Sequence, residues 1–231
     1  MINNVNCLVC GKKLKYYEES KTMTCYYCKK SFESNACCED GHYVCDACHS
    51  MDAYDIIKSY CSTCKSTDPV EMAEALMSHP SIKIHGPEHH FLVPAVLLTS
   101  YINATGQKEK LPFMLKECEK RAKNVLGGFC GFYGACGAAI GTGIFMSIAL
   151  GATPLSDEKW GKCNLMTAKS LESISSFGGP RCCKRDSFLA IEEAVKFLEE
   201  TTGIKLDTHE YKCKFYMKNS ECLKERCKFH F

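Results

Sequence analysis

Ten of the chain's 19 cysteines fall within its first 64 residues, and eight of those stand as Cys-x-x-Cys pairs: Cys7/Cys10, Cys25/Cys28, Cys45/Cys48 and Cys61/Cys64. A two-residue gap lets both thiolates of a tight turn face one ion, and two such pairs complete a tetrahedral site. The same stretch is poor in Leu, Ile and Val. It cannot build an apolar core unaided, so bound metal must take that place. The expectation is a small zinc-stabilised module over residues 1–66, carrying two or more zinc ions.

The ligands can pair in two ways. In the first, Cys7-Leu8-Val9-Cys10-Gly11 and Cys25 to Cys28 are the two knuckles of a module that resembles a zinc ribbon, with Leu14 to Tyr17 and Thr22 to Thr24 as its hairpin. A second site then falls to Cys45, Cys48, Cys61 and Cys64, with Cys38 and His42 either substituting or feeding a third ion. In the second, Cys25, Cys28, Cys38, His42, Cys45, Cys48, Cys61 and Cys64 match the spacing of a cross-braced RING-like module, which resembles ubiquitin-ligase fingers. That scheme strands Cys7 and Cys10, so the ribbon is preferred. A closed four-ligand site has no open position, which makes the module structural. Its means of holding a protein partner would be the aromatics Tyr16, Tyr17, Tyr26 and Tyr27.

Taken whole, the chain has the composition of an ordinary globular protein, 45% hydrophobic and 24% charged. A net charge of +2 with both signs interspersed gives nucleic-acid binding no electrostatic support. The longest apolar run, Ala138 to Leu150, is broken by Gly141, Gly143 and Ser147 and is too short for a bilayer. Met1 to Asn6 are polar and run straight into Cys7, leaving no room for a signal peptide, so a cytoplasmic location is expected. In a reducing compartment, close-spaced cysteines are metal ligands or redox groups rather than disulfides.

Asp68 as cap and Pro69 at the first position open a helix that His79-Pro80 stops. Further helices are expected over about Val93 to Ala104, Pro112 to Leu126, Ala138 to Leu150, Asp157 to Ser175 and Asp186 to Thr202. No strand is expected after position 70. The fold class is therefore mainly α: the zinc module, an all-helical domain over 67–203, and a tail over 204–231 packed on it. That tail carries Cys213, Cys222 and Cys227.

Three segments of the helical part carry chemistry. They are Gly86-Pro87-Glu88-His89-His90, the glycine-rich run from Gly127 to Ala139 with Cys130 and Cys136, and Gly178-Gly179-Pro180-Arg181-Cys182-Cys183-Lys184-Arg185. Each precedes an expected helix, where free amides and the positive dipole end favour thiolates and anions. Glycine lets the backbone approach a cluster that a side chain would block. These are the needs of a buried iron-sulfur site.

The order of these segments resembles the alpha domain of iron-sulfur L-serine dehydratases and the related L-cysteine desulfidases. The residues that carry the likeness are Val93 to Leu98, Cys130 to Leu150 with Ala149-Leu150-Gly151-Ala152-Thr153-Pro154, and Cys183-Lys184-Arg185-Asp186 to Val195. The resemblance implies an all-helical fold holding a [4Fe-4S] cluster, with Cys130 and Cys183 as ligands and His85 to His90 facing substrate. The family's middle ligand falls in Glu172 to Gly178, which has no cysteine, so Cys136, Cys182 or a tail cysteine (Cys213, Cys222, Cys227) must replace it.

The substrate turn also differs, with Glu88, His89 and His90 where the relatives carry small hydroxyl and amide residues. Here a His89 or His90 imidazole is the candidate general base or acid, oriented by Glu88. Arg181 and Lys184 are candidates for holding an anionic group of a small substrate. The reading is an iron-sulfur lyase or desulfidase acting on a small polar molecule. A redox or sulfur-transfer module serving a partner enzyme, and a zinc-only adaptor, are the alternatives.

Overall fold

A computed structural model describes residues 7, 9, 10, 12–45, 48 and 51–231. Met1 to Asn6, together with Leu8 and Gly11 of the first knuckle, lie outside the described residues.

The chain begins with a hairpin of two antiparallel strands, β1 (Leu14–Thr24) and β2 (Ser31–Cys38). They pair from Leu14 opposite Cys38 to Thr24 opposite Ser31, with a register shift between Tyr16 and Lys21. The turn between them is the Cys25 to Lys30 knuckle, closed by Cys25 N–H donating to the Lys30 carbonyl at 2.8 Å and Lys29 N–H to that of Cys25 at 3.0 Å. The expected pairing of Leu14 to Tyr17 with Thr22 to Thr24 is therefore corrected, because both segments lie on β1. Glu18 to Lys21 has no Gly, Pro, Asn or Asp to reverse the chain, whereas the cysteine knuckle does so.

From Ala53 to Thr202 the chain is largely helical, and the protein is mainly α. Its helices are α1 (Ala53–Thr63), α2 (Pro69–Met77), α3 (His89–Thr105), α4 (Leu111–Ala122), α5 (Phe129–Phe132), α6 (Gly137–Leu150), α7 (Glu158–Ser175) and α8 (Cys183–Thr202). Asp68 caps α2 as the sequence indicates, its carboxylate accepting from Val70 N–H at 2.8 Å and Glu71 N–H at 3.0 Å. No described helix is long and apolar enough to cross a membrane.

Helix α3 is the axis of the fold. It packs against α1, α2, α4, α6 and α8, and its residues from His89 to Ser100 are all buried. A helix covered on every side needs no apolar stripe, which is why its sequence is almost uniformly apolar. Pro94 sits inside it and leaves the His90 carbonyl without its helical N–H partner. Helix α6 comes close at this point: a Cβ at Gly141 would stand 2.9 Å from the Pro94 ring. The glycine and alanine content of α6 is thus a packing requirement.

Helix α1 belongs to this core. It packs on α3, and Cys61 is fully buried, with its thiol pushed up to about 12 by that burial. Cys64 follows as the C-cap of α1.

The tail is irregular but fastened. Tyr211 stacks on Phe188 of α8 at 3.8 Å, and Cys213 N–H donates to the Phe229 carbonyl at 2.7 Å. His209 Nδ1 reaches the Asp68 carboxylate at 2.7 Å, and Lys214 pairs with Glu74 of α2. The Asp68 hydrogen bond, then its charge, raises the His209 pKa above its ordinary 6.5.

A raised folded-state value means that this contact contributes fully below the unfolded value and is lost as pH rises through the folded one. His209 is partly exposed, so the contribution is under about 1 kcal/mol. Protection factors of the tail amides, which divide out the base-catalysed rise of exchange with pH, should fall as pH rises past 6.5, and His209→Ala should flatten that fall. An unchanged profile in the variant would refute this assignment.

Candidate functional site

Two groups of side chains among the described residues can hold a metal ion, each with its ligand atoms within 4.8 Å of one another: Cys7, Cys10, Cys38 and His42, and Cys25, Cys28, Cys45 and Cys48. The hairpin creates this arrangement. Opposite Leu14, the end of β2 brings Cys38 back beside the Cys7/Cys10 knuckle, while Cys25/Cys28 stay at the turn. Chain following Gly41, which turns at φ +81°, then runs beside Cys25 through the Tyr26 N–H to Tyr43 carbonyl bond of 2.8 Å, delivering Cys45 to the second group.

The ligands are thus interleaved along the chain, first with third pair and second with fourth. The cross-braced scheme contains the second group, Cys25 and Cys28 with Cys45 and Cys48, but neither scheme brings Cys7 and Cys10 to Cys38 and His42. The ribbon is corrected because Cys7/Cys10 meet Cys38/His42 rather than Cys25/Cys28. Cys61 and Cys64 join neither group, because the one is buried in the helical core and the other ends α1.

Distances within the groups match a single tetrahedral ion. Cys10 and Cys38 Sγ stand 3.8 Å apart, and Cys28 and Cys45 Sγ 3.9 Å. A zinc ion at about 2.3 Å from each sulfur sets a tetrahedral edge of about 3.8 Å. Backbone amides face the sulfurs, from Val9 to Cys7 at 3.4 Å, His42 to Cys38 at 3.3 Å and Cys45 to Cys25 at 3.4 Å. Burial pushes the Cys25 thiol up, but the amides of Cys45, Cys28 and Tyr27 outweigh it and leave the group at about 7.

The second group is joined to the helical core. All four of its cysteines are buried, and His79 Nε2–H donates to the Cys48 carbonyl at 2.9 Å. Tyr27, expected as an exposed docking aromatic, is fully buried against His79 with ring centroids 4.9 Å apart. Tyr16 remains 68% exposed.

A cleft of about 980 Å³ is lined by all three segments singled out in the sequence. Cys130, Cys136 and Cys183 open onto it, with His85, His90, Arg181 and Asp186 and a rim of glycines. These three thiols do not form a group within 4.8 Å, so they stand too far apart for one ion. They remain three soft donors from three segments bordering one void.

Amides of Ala138 and Ala139 face the Cys136 sulfur and that of Gly86 faces Cys183. Burial, then the Asp186 charge, pushes the Cys136 thiol up to about 12, so its thiolate form calls for a cationic ligand.

His90 is one of the titratable groups lining this cleft. Its Nδ1–H donates to the Val125 carbonyl at 2.8 Å, which leaves Nε2 as the free acceptor beside Gly137. Burial lowers its pKa, against the opposing effect of the Val125 carbonyl, and favours the neutral ring.

The other candidates point elsewhere. His89 is buried among Lys83 and Ser187, with Nε2–H on the Lys83 carbonyl at 3.0 Å and Nδ1 3.2 Å from the Ser187 hydroxyl. Burial first, then Lys184, lowers its pKa to about 3, so it stays neutral and structural. Glu88 accepts from Lys83 N–H at 2.8 Å, tying its own turn together rather than orienting an imidazole. Lys184 donates to the Met77 carbonyl at 2.9 Å and sits over the Phe215 ring, outside the cleft.

Cys182 also leaves the cleft. It lines a separate apolar pocket with Cys213, Cys222 and Cys227 of the tail, so two cysteines adjacent in sequence serve two cavities. Arg185 and Asp186 were not singled out beforehand as site residues, although Arg185 borders both cavities.

A family described as "Family of unknown function (DUF5714)" has a sequence model that matches residues 57–230. No curated protein and no solved structure matches the chain.

Proposed function

The chain belongs to the DUF5714 family, and for it we propose an iron-sulfur lyase or desulfidase whose active site is the glycine-rimmed cleft and whose amino-terminal groups hold two structural zinc ions. The observation that carries this is the convergence of Cys130, Cys136 and Cys183 on one cleft beside a neutral His90.

Cys130, Cys136 and Cys183 would hold a four-iron cluster through their thiolates, and when bound it would supply a Lewis acid for a departing hydroxyl or thiol. Arg181 at the cleft edge binds an anionic group of the substrate and fixes its orientation. His90 Nε2 takes a proton from the substrate carbon, its ring held by the Val125 carbonyl. Glycines at 127, 128, 131 and 134 leave room for a small polar substrate to reach the thiols. An open cleft with its own base favours turnover over the bare passage of electrons to a partner.

The amino-terminal ions have a different task. A set of three cysteines with one histidine and a set of four cysteines are both closed, and they take no substrate. The four-cysteine set supports the end of α2 through His79 and through Tyr27, whose hydroxyl donates to the Ala75 carbonyl, and it shares one buried core with α3.

Anaerobically prepared protein should eliminate water or hydrogen sulfide from small hydroxy or thiol compounds, and Cys183→Ala should abolish this while leaving two zinc ions per chain in place. Turnover that survives Cys183→Ala, or survives stripping of iron, would overturn the reading.

A further inference from the structure

We propose that Cys182, Cys213, Cys222 and Cys227 form a second iron-sulfur site, a fully ligated [4Fe-4S] centre behind the cleft. The four thiols line one pocket between the start of α8 and the tail. Unlike the amino-terminal groups, they are not drawn together within 4.8 Å. A single zinc ion needs that convergence, whereas a cubane holds its thiolates further apart.

Each sulfur is met by a backbone amide two or three residues on. Phe215 N–H faces Cys213 at 3.4 Å, Lys224 N–H faces Cys222 at 3.4 Å and Arg185 N–H faces Cys182 at 3.5 Å. The Phe229 amide serves Cys227 in the same way. Such donors stabilise cluster thiolates and tune the centre they hold.

Charge gives an independent argument. Lys184 and Arg185 are both buried and both line this pocket, which no carboxylate side chain lines. Lys184 makes no ion pair among the described residues, and its ammonium is held only by carbonyl oxygens and an aromatic face. The Arg185 side chain is 4% exposed, and its Nε and Nη2 bind Asp186, Gly178 and Pro180. Its Nη1 has no hydrogen-bond partner, and the buried Tyr211 hydroxyl beside Cys213 lacks one too. Buried donors are rarely left unmet, and an anionic four-thiolate cluster meets these.

With four protein ligands the centre has no open iron, so it binds no substrate. It lies one peptide bond from the cleft, through Cys182 and Cys183.

The full chain, purified anaerobically and supplied with ferrous iron and sulfide, tests this. The cleft variant Cys130→Ser/Cys136→Ser/Cys183→Ser should still bind about four irons and four sulfides. Cys222→Ser/Cys227→Ser should lose that iron, with retained amino-terminal zinc and unchanged circular dichroism showing that the chain is folded. A cleft variant with no iron, or a third zinc ion bound in place of iron, would overturn the second site. The active-site reading fails separately, if the cleft variant binds as much iron as the unaltered chain.

Discussion

Cys48→Ala is expected to release one metal ion and to unfold the protein about 10 °C early, an effect that reaches the helices as well as the hairpin. The reason is where this ligand group sits. Cys25, Cys28, Cys45 and Cys48 belong to the same continuous core as Ile56, Ile57, Leu76 and Leu92, whereas Cys7, Cys10 and Cys38 stand outside it. Losing one ligand leaves three buried thiols around an incomplete site, and the carbonyl of Cys48 is itself the partner of buried His79.

A structural site lost from a core costs at least about 3 kcal/mol, and each kcal/mol moves the midpoint of a chain this size by about 2–4 °C. Cys10→Ala, at the exposed corner of the outer group, should release its ion with only a few degrees of change. Calorimetry with parallel zinc analysis reads both. Equal shifts for the two variants would show that the inner group does not support the helical core.

What could be read from the sequence depended on whether the signal was local. The Asp68-Pro69 start of α2 and the glycine-rich α6 rest on neighbouring residues, and they stand in the structure. Ligand pairing rests on strand register instead: only the pairing of Leu14 with Cys38 tells which knuckle Cys38 meets.

Cys61 and Cys64 show the opposite trap. Residues three apart lie on one face of a helix, so the end of α1 copies the spacing of a metal knuckle. Adjacent residues diverge for the same geometric reason. Near a helix start successive side chains point about 100° apart, which sends His89 into the core and His90 to the cleft, and parts Cys183 from Cys182. A sequence motif marks the segment; the helical phase decides which member of a pair is used.

That phase yields the sharpest test of the cleft. Gly137→Ala should cut turnover by about 10²–10⁴, matching His90→Gln, without loss of iron. A Cβ at Gly137 would run into the His90 imidazole at Cδ2, Nε2 and Cγ. The ring would have to leave the Val125 carbonyl, its only hydrogen bond that fixes the tautomer. Overpacking of this kind costs about 1–3 kcal/mol, so the variant should fold.

His89→Gln is the control, since it breaks the Lys83 and Ser187 contacts and lowers stability while sparing turnover by the folded protein. The pH profile separates a base from a strut. His90 has its pKa lowered by burial, so its neutral, proton-accepting form persists below the usual imidazole range, and kcat/KM should fall only on acidification past that lowered value. In His90→Gln that acid limb should vanish. If Gly137→Ala and His90→Gln both keep full turnover with the limb intact, His90 is a packing residue and the base in the cleft is another group.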